Sequence, residues 1–242
     1  MSELNICGVG ETASLQRLRV LFAAIAAGSG SGAAFAYTPP PPIQQQCAPG
    51  SFSATGFAPC TTASLGNFVP TSGATQQTPA PLGYYVSTTG ASVATAAPVG
   101  RFVDTVGASA AKTASPGYYV ALTGQSSAQA AGLGYYVAGS GASAATAAAL
   151  GSYVGTTAAV SATPAPVGRY VDTVGASAAK LASAGYYVAS TGQSKAQAAG
   201  LGYYVAGSGA SAATAAALGS YVGTTAAVSA TPAPVGRYVD TV

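Results

Sequence analysis

Residues 134–150 read Gly-Tyr-Tyr-Val-Ala-Gly-Ser-Gly-Ala-Ser-Ala-Ala-Thr-Ala-Ala-Ala-Leu, and this stretch is one copy of a unit that recurs along the chain. The leading glycines from Gly66 to Gly236 follow one another every 17 residues, and an earlier copy begins at Gly50. Such strict periodicity predicts a stacked or linear repeat protein, in which each unit packs on its neighbours.

The aligned copies show which positions of the unit are constrained. With the leading glycine as position 0, position +2 is aromatic in every copy, and +3 is Val in every copy after the first. After the first copy, position +7 is Gly apart from Ala158 and Ala226, +11 and +14 are almost always Ala, and +16 is usually Leu or Val. Positions +1 and +4 vary widely. Constant positions are expected to be buried or geometrically constrained, and variable ones to face water.

The residue types predict short strands separated by tight turns. An aromatic residue followed by Val favours a strand, and Gly at 0 and +7 predicts corners with positive φ. The Ala-rich half, residues 142–149, has high helix propensity. It offers only about eight residues between glycines, however, whereas isolated helices need ~12–15. We therefore expect extended segments in both halves.

Two adjacent constant positions, +2 and +3, cannot both point inward along a regular strand. Either the chain bends and buries both, or one column forms an exposed apolar stripe. The fold predicted is an all-β, elongated tandem array, most simply a narrow β-solenoid with one unit per coil, in which the +2 aromatics face the alanines at +11 and +14. The alternatives are a chain of end-to-end β-hairpins and a largely disordered chain.

The N-terminal residues predict export. Arg17 and Arg19 precede an apolar core at 20–27, and Ala34-Phe35-Ala36 matches a cleavage site. Residues 1–36 are therefore interpreted as a secretory signal peptide. Residues 37–46, with four consecutive prolines and three glutamines, form a semi-rigid spacer. No second apolar segment follows, so we expect no transmembrane helix in the mature chain.

The repeats divide into a first unit and a long tandem region. Residues 47–65 form the first repeat, and residues 66–242 the rest. Within the rest, 99–166 and 167–234 are near-identical 68-residue blocks, and a third begins at Val235. The two blocks differ at five positions: Phe102/Tyr170, Thr113/Leu181, Pro116/Ala184, Leu122/Ser190 and Ser127/Lys195. Since the third block stops partway through a unit, we expect either a longer natural chain or a variable repeat number.

Composition argues against an enzyme. Charged residues make up 5% of the chain, against about 25% in typical domains. The absence of His argues against a triad, and the few acidic residues do not occur in pairs suited to acid–base catalysis. No metal or cofactor is predicted either, because two thiols without His leave coordination incomplete. A net charge of +3 is too small to indicate nucleic-acid binding. Beyond the signal peptide the acidic residues are Asp104, Asp172 and Asp240, and each is expected to form a solvated ion pair with the arginine three residues before it: Arg101, Arg169 and Arg237.

Cys7 lies in the predicted signal peptide, which leaves Cys47 and Cys60 as an even pair in an exported chain and predicts a disulfide. The segment 47–63, Cys-Ala-Pro-Gly-Ser-Phe-Ser through Pro-Cys-Thr-Thr-Ala, resembles the ephrin-receptor-like cysteine-rich repeats, with their pattern C-P-x-G-x-Y/F-S…G…C-x-x-C. Ala63 stands at the closing cysteine. Later copies have alanines at the equivalent positions, such as Ala145 and Ala148. The resemblance implies a disulfide module whose cysteines have been exchanged for alanine.

The signal peptide, Pro-rich spacer and Gly/Ala/Ser/Thr repeats together also resemble the passenger regions of proteobacterial autotransporter-type surface proteins. This resemblance implies a secreted or cell-surface protein of a Gram-negative bacterium, acting as a stalk, adhesin passenger or fibre-forming element. Open β edges favour end-to-end or lateral self-association. The alternative is a surface module that binds host or matrix glycans. Its ligand-facing residues would be the exposed tyrosines at +1, which are Tyr84, Tyr118, Tyr135, Tyr186 and Tyr203.

Overall fold

The computed structural model describes residues 42–237, and none of these residues is helical. They contain 22 strands of two residues each, which pair into eleven antiparallel hairpins. The all-β tandem array predicted from the repeat is thereby confirmed. The predicted signal peptide and the first residues of the spacer, up to Pro41, lie outside the described residues.

Each 17-residue unit contributes two consecutive strands, and each such pair forms one hairpin. In chain order the pairs are β1 Ser51–Phe52 with β2 Thr61–Thr62, β3 Asn67–Phe68 with β4 Thr78–Pro79, β5 Tyr84–Tyr85 with β6 Thr95–Ala96, β7 Arg101–Phe102 with β8 Lys112–Thr113, β9 Tyr118–Tyr119 with β10 Gln129–Ala130, β11 Tyr135–Tyr136 with β12 Thr146–Ala147, β13 Ser152–Tyr153 with β14 Thr163–Pro164, β15 Arg169–Tyr170 with β16 Lys180–Leu181, β17 Tyr186–Tyr187 with β18 Gln197–Ala198, β19 Tyr203–Tyr204 with β20 Thr214–Ala215, and β21 Ser220–Tyr221 with β22 Thr231–Pro232.

The register within a hairpin is the same in the ten units that follow the first, which is one residue shorter. Position +1 lies opposite +13, and +2 opposite +12, as in the pairs Tyr135↔Ala147 and Tyr136↔Thr146. Directly after the second strand, the Ala148 amide donates to the Gly134 carbonyl at 2.8 Å and closes the unit on its own leading glycine. Of the two array types considered, the structure therefore has hairpins rather than solenoid coils: within residues 42–237 every sheet is a single two-stranded hairpin.

Single backbone hydrogen bonds, rather than ladders, connect the units. The Gly134 amide donates to the carbonyl of Val154 in the next unit at 2.9 Å, and the Val137 amide donates to Ala159 of that same unit at 3.0 Å. The Gly175 amide, two units further on, donates to Ala148 at 2.8 Å. This pattern recurs along the array. Each unit is therefore bonded both to the next unit and to the next but one, which a hairpin with two-residue strands needs for stability.

The core is thin and built from small side chains. The +3 valines from Val69 to Val205 are at most 3% exposed, and the +14 alanines from Ala80 to Ala199, with the equivalent Ala63 of the shorter first unit, are fully buried. One buried cluster contains Ala165 of one unit with Val171 and Ala179 of the next. The core therefore lies at the junctions between units, and the constant Val and Ala positions are explained by it.

Two constant positions are less buried than their constancy predicts. The +2 aromatics are mostly half-buried, so the bend places Val inward and leaves the ring partly open to solvent. The +16 side chains are exposed, as at Leu133, where 54% of the surface is accessible. The Tyr135 amide donates to the Gly132 carbonyl at 3.1 Å and closes a β-turn. Leu133 is the second residue of this turn and lies at its outer corner.

The leading glycine is constrained twice over. Gly134 is the third residue of this turn and has a φ of 83°, which type II turns require at that position. A Cβ there would also overlap the carbonyl oxygen of Gly175, two units away. Position +7 has a positive φ too, but Ala158 and Ala226 adopt it, with φ of 54° and 58°. The predicted positive φ at both glycine positions is confirmed, and at position 0 the overlap with a carbonyl oxygen recurs from Gly50 to Gly185.

Candidate functional site

The five +1 tyrosines are exposed, with accessible fractions between 38% and 45%. Each is the first residue of its hairpin. The Tyr135 hydroxyl also lies over Gly175 two units on, 3.7 Å from where a Cβ on that glycine would stand. The phenol therefore rests partly on the array and leaves the rest of its ring to solvent. A role for these tyrosines in ligand binding remains a prediction.

Two of these tyrosines line shallow grooves between consecutive units. The first groove has a volume of about 330 Å³ and is lined by Phe102, Ser115, Tyr118 and Ala128. The second groove has a volume of about 280 Å³ and is lined by Tyr170, Asp172, Ser183, Tyr186, Ser194, Lys195 and Ala196. The four positions that line the first groove recur 68 residues later in the second, with Tyr170 in place of Phe102. A groove thus forms from +2 and +15 of one unit and +1 and +11 of the next.

The acidic residues pair with lysines, which corrects the expectation of arginine partners. Asp104 lies 2.8 Å from the Lys112 ammonium, and Asp172 lies 2.8 Å from that of Lys180. The hairpin register explains this choice, because it places Lys112 directly opposite Phe102, two residues from Asp104. Asp240 lies outside the described residues.

Arg169 makes a different contact from the predicted one. Its Nη1 donates to the backbone carbonyl of Ala179 at 2.9 Å. Ala179 immediately precedes the second strand of the same hairpin, so the arginine spans its own unit and leaves Asp172 to Lys180. The sequence spacing Arg-x-x-Asp was therefore a poor guide to the ion pair.

The ion pairs shift the protonation equilibria of their members. The hydrogen bond from Lys112 lowers the pKa of Asp104, and the one from Lys180 lowers the pKa of Asp172. The hydrogen bond to Asp172 raises the pKa of Lys180. Both carboxylates consequently stay ionised to lower pH than an isolated aspartate. At the second groove, Asp172 is a stable hydrogen-bond acceptor.

The side chains that line the grooves are of types that bind ligands. Residues 42–237 contain no group of three metal-ligating side chains, and in that range no buried polar side chain lacks a hydrogen-bond partner. The grooves present aromatic faces, hydroxyls, a carboxylate and an ammonium. This arrangement can hold a polar ligand against aromatic rings.

The predicted disulfide between Cys47 and Cys60 is confirmed, with Cα atoms 5.6 Å apart. The Gly73 amide donates to the Cys47 carbonyl at 2.8 Å, which is the bond that +14 alanines accept elsewhere. Thr61 pairs with Phe52, so Cys60 directly precedes the second strand and is equivalent to +11 of the later units, which are one residue longer. The bridge therefore links a +14 position to the +11 position of the next unit.

No protein-family model matches this chain, and no curated protein matches it. The resemblances to ephrin-receptor-like repeats and to autotransporter passengers therefore rest on the residues quoted above. Within the described part of the chain, no helix has the length and apolar character needed to cross a bilayer.

The grooves themselves were not predicted from sequence. Variation in the residue type at +1 predicts that these tyrosines are exposed. That the +1 side chain of one unit lies beside the +2 ring of the preceding unit depends on how the hairpins stack. One signal was present in the sequence. Two of the five differences between the 68-residue blocks, Phe102/Tyr170 and Ser127/Lys195, alter the same groove.

Proposed function

We propose that this protein is an exported, non-enzymatic structural element of the cell surface or extracellular space. The observation that carries the proposal is the bonding pattern of the array, in which each hairpin is hydrogen-bonded to the next two. Since each unit needs only nearby units, the number of units can vary without disturbing the fold. A fold of this kind suits a protein whose role is to set a length.

Three further features support export and a structural role. The Cys47–Cys60 disulfide is typical of proteins that pass through an oxidising compartment. Residues 1–36 have the composition of a secretory signal peptide. Within residues 42–237 the core is built from valine, alanine, half-buried aromatics and the disulfide-bonded Cys47, and the sequence lacks His entirely.

Self-association is part of the proposal. Each unit presents the side chain at the outer corner of its inter-unit turn to solvent, and in most units this residue is Leu or Val. The clearest examples are Leu65, Leu82, Val99, Leu133, Leu150, Val167 and Leu201, each about half exposed or more. An apolar side chain repeated at every turn offers a second copy a repeated contact. Lateral association of arrays would bury these side chains.

The stalk, adhesin-passenger and fibre roles, and a Gram-negative source, follow from the compositional resemblance. Electron microscopy of expressing cells and of purified protein tests the structural proposal. We expect rods or fibres on the surface and an N-terminus at Tyr37 after cleavage. A chain that keeps Met1 and stays inside the cell would contradict export. Protein that remains dispersed and monomeric at high concentration would contradict self-association.

A second function, binding of glycans, is favoured by one specific observation: two of the exposed +1 tyrosines, Tyr118 and Tyr186, line grooves next to a second aromatic ring. Tyrosine combines an apolar face with a hydrogen-bonding tip, which suits sugars. We expect binding on a glycan array that decreases after Tyr118→Ala and Tyr186→Ala, which remove the groove tyrosines. Tyr119→Ala is an unsuitable control because that ring is half-buried in the array. Leu133→Ala removes an exposed apolar side chain of the unit that contains Tyr118 and should leave glycan binding unchanged.

A further inference from the structure

The two grooves are a natural pair of variants on one scaffold. They are lined at equivalent positions by Ser115 or Ser183, Tyr118 or Tyr186, and Ala128 or Ala196. They differ where Phe102 is replaced by Tyr170 and Ser127 by Lys195. The second groove has therefore gained a phenol hydroxyl and an ammonium group, while its aromatic walls are kept.

The added ammonium is not neutralised by its surroundings. Asp172 also lines the second groove, but Lys180 already holds its carboxylate at 2.8 Å. Among the described residues no carboxylate forms an ion pair with Lys195. In the first block, Asp104 and Lys112 form the corresponding ion pair, and the position equivalent to Lys195 is the uncharged Ser127. The second groove consequently has one uncompensated positive charge, and the first has none.

We infer that the second groove binds an acidic sugar, with the ring lying against Tyr170 and Tyr186 and the carboxylate paired with Lys195. The tyrosine rings supply apolar faces for the C–H groups of a pyranose, and Ser183 and Ser194 supply hydroxyls for its polar edge. The ammonium adds a charge-assisted hydrogen bond to the sugar carboxylate. A volume of about 280 Å³ is at the small end of ligand sites, so it fits one sugar unit of a longer chain.

This inference rests on the second proposed function, glycan binding, and adds to it a ligand class and a place. It predicts that the second groove prefers acidic sugars over neutral ones. The first groove is lined by Phe102 and has no lysine. It should bind neutral sugars no more tightly than the second groove does, and acidic sugars less tightly.

The test uses the full exported chain with trigalacturonate and its methyl ester as probes, followed by ligand-observed NMR titration. The protein itself provides the variants, since Tyr170→Phe and Lys195→Ser each restore the residue that the first block has and should fold. We expect Lys195→Ser to weaken trigalacturonate binding about three- to tenfold, the range between an exposed and a well-aligned charge contact. Binding of the uncharged methyl ester should not change.

Two matched controls make the test specific. Lys112→Ser removes the same charge outside the second groove and should leave trigalacturonate binding unchanged. The reverse change, Phe102→Tyr with Ser127→Lys, should create a second acid-selective site. Equal losses from Lys195→Ser and Lys112→Ser would overturn the inference in favour of unspecific charge attraction. If trigalacturonate and its methyl ester bind equally well and Lys195→Ser changes neither affinity, the preference for acidic sugars is overturned, whereas the proposal of glycan binding is supported. Binding of neither probe would count against both.

Discussion

At the residue scale, the leading glycine of each unit determines whether consecutive units can stack. Gly134 adopts a left-handed conformation and at the same time allows the carbonyl of Gly175 to approach closely. Its own amide and carbonyl are both used, one toward Val154 in the next unit and one toward Ala148 in its own. A side chain at this position would disturb a turn, a hairpin closure and an inter-unit contact together.

The first prediction follows from this position. Gly134→Ala should lower the free energy of unfolding by about 2–4 kcal/mol, combining left-handed strain with overpacking. Urea denaturation followed by circular dichroism measures the change. Gly139→Ala is the matched control, because φ there is not positive and no atom lies within 4 Å of the added Cβ. It should change stability by less than about 0.5 kcal/mol. Equal effects of the two substitutions would refute the contact at position 0.

The second prediction concerns the ion pair beside the second groove. Lys180→Met should raise the pKa of Asp172 toward its ordinary value of 3.8, because the hydrogen bond from Lys180 is the largest cause of its lowering. Carboxyl ¹³C chemical shifts followed through a pH titration report this directly. Asp104, which keeps Lys112, is the internal control and should not move.

The sign of the linked stability change follows from the same shift. The pKa of Asp172 is lower in the folded than in the unfolded chain, so the pair stabilises the fold above the ordinary carboxyl pKa. This contribution is lost as pH falls through the folded value. Because both side chains are exposed to solvent, which screens the pair, we expect a small effect. An Asp172 pKa that does not respond to Lys180→Met would contradict the assigned pairing.

At the element scale, the unit is a hairpin whose second strand is flanked by two positions that contact neighbouring units: +11 faces +14 of the preceding unit, and +14 faces +11 of the next. Cys47 and Cys60 occupy +14 and +11 of adjacent units and form a disulfide. Ala165 and Ala179 occupy the same two positions further along and lie in one buried cluster. The alanines therefore stand where a disulfide would fit, which agrees with the proposed exchange of cysteine for alanine.

The third prediction tests this equivalence. The double variant Ala165→Cys/Ala179→Cys should form a second disulfide on export and stabilise the fold by up to about 3 kcal/mol, given the short loop that it closes. Non-reducing peptide mapping by mass spectrometry detects the bridge. The two single variants should each show one titratable thiol. Two free thiols in the double variant would mean that the +14 and +11 positions do not face each other along the array.

The hairpin's features were predictable from sequence to different degrees. Local chemistry identified the strands, the positive φ at glycine and the disulfide, because aromatic-Val pairs, glycines and paired cysteines each act over a few residues. The choice between solenoid and hairpin was not encoded locally, since either would keep the +3 valine constant. Leu133 shows a second limit: its column is constant because the turn corner recurs, yet its side chain is exposed. Lys112 shows a third, because the partner of Asp104 depends on the cross-strand register.

At the scale of the whole molecule, the account depends on contacts that skip a unit. Neighbouring hairpins share a small core, and hairpins two apart share the bond from the +7 amide to the +14 carbonyl. This second contact prevents the array from behaving as loosely linked hairpins. It also explains why the +7 position tolerates only Gly or a left-handed Ala, since its backbone must reach across an intervening unit.

The measurement that tests this central claim most directly is a disulfide across the skipped unit. In the structure, a Cβ on Gly175 would lie 3.9 Å from the Cβ of Ala147, two units earlier, which is within disulfide range. Ala130 and Ala158 are the equivalent pair where +7 is already Ala. The account predicts that Ala130→Cys/Ala158→Cys forms a bridge on export, detected by non-reducing peptide mapping, whereas Ala130→Cys/Gly141→Cys, which joins +13 to +7 of the adjacent unit, does not. A bridge between 130 and 141, with free thiols at 130 and 158, would contradict it.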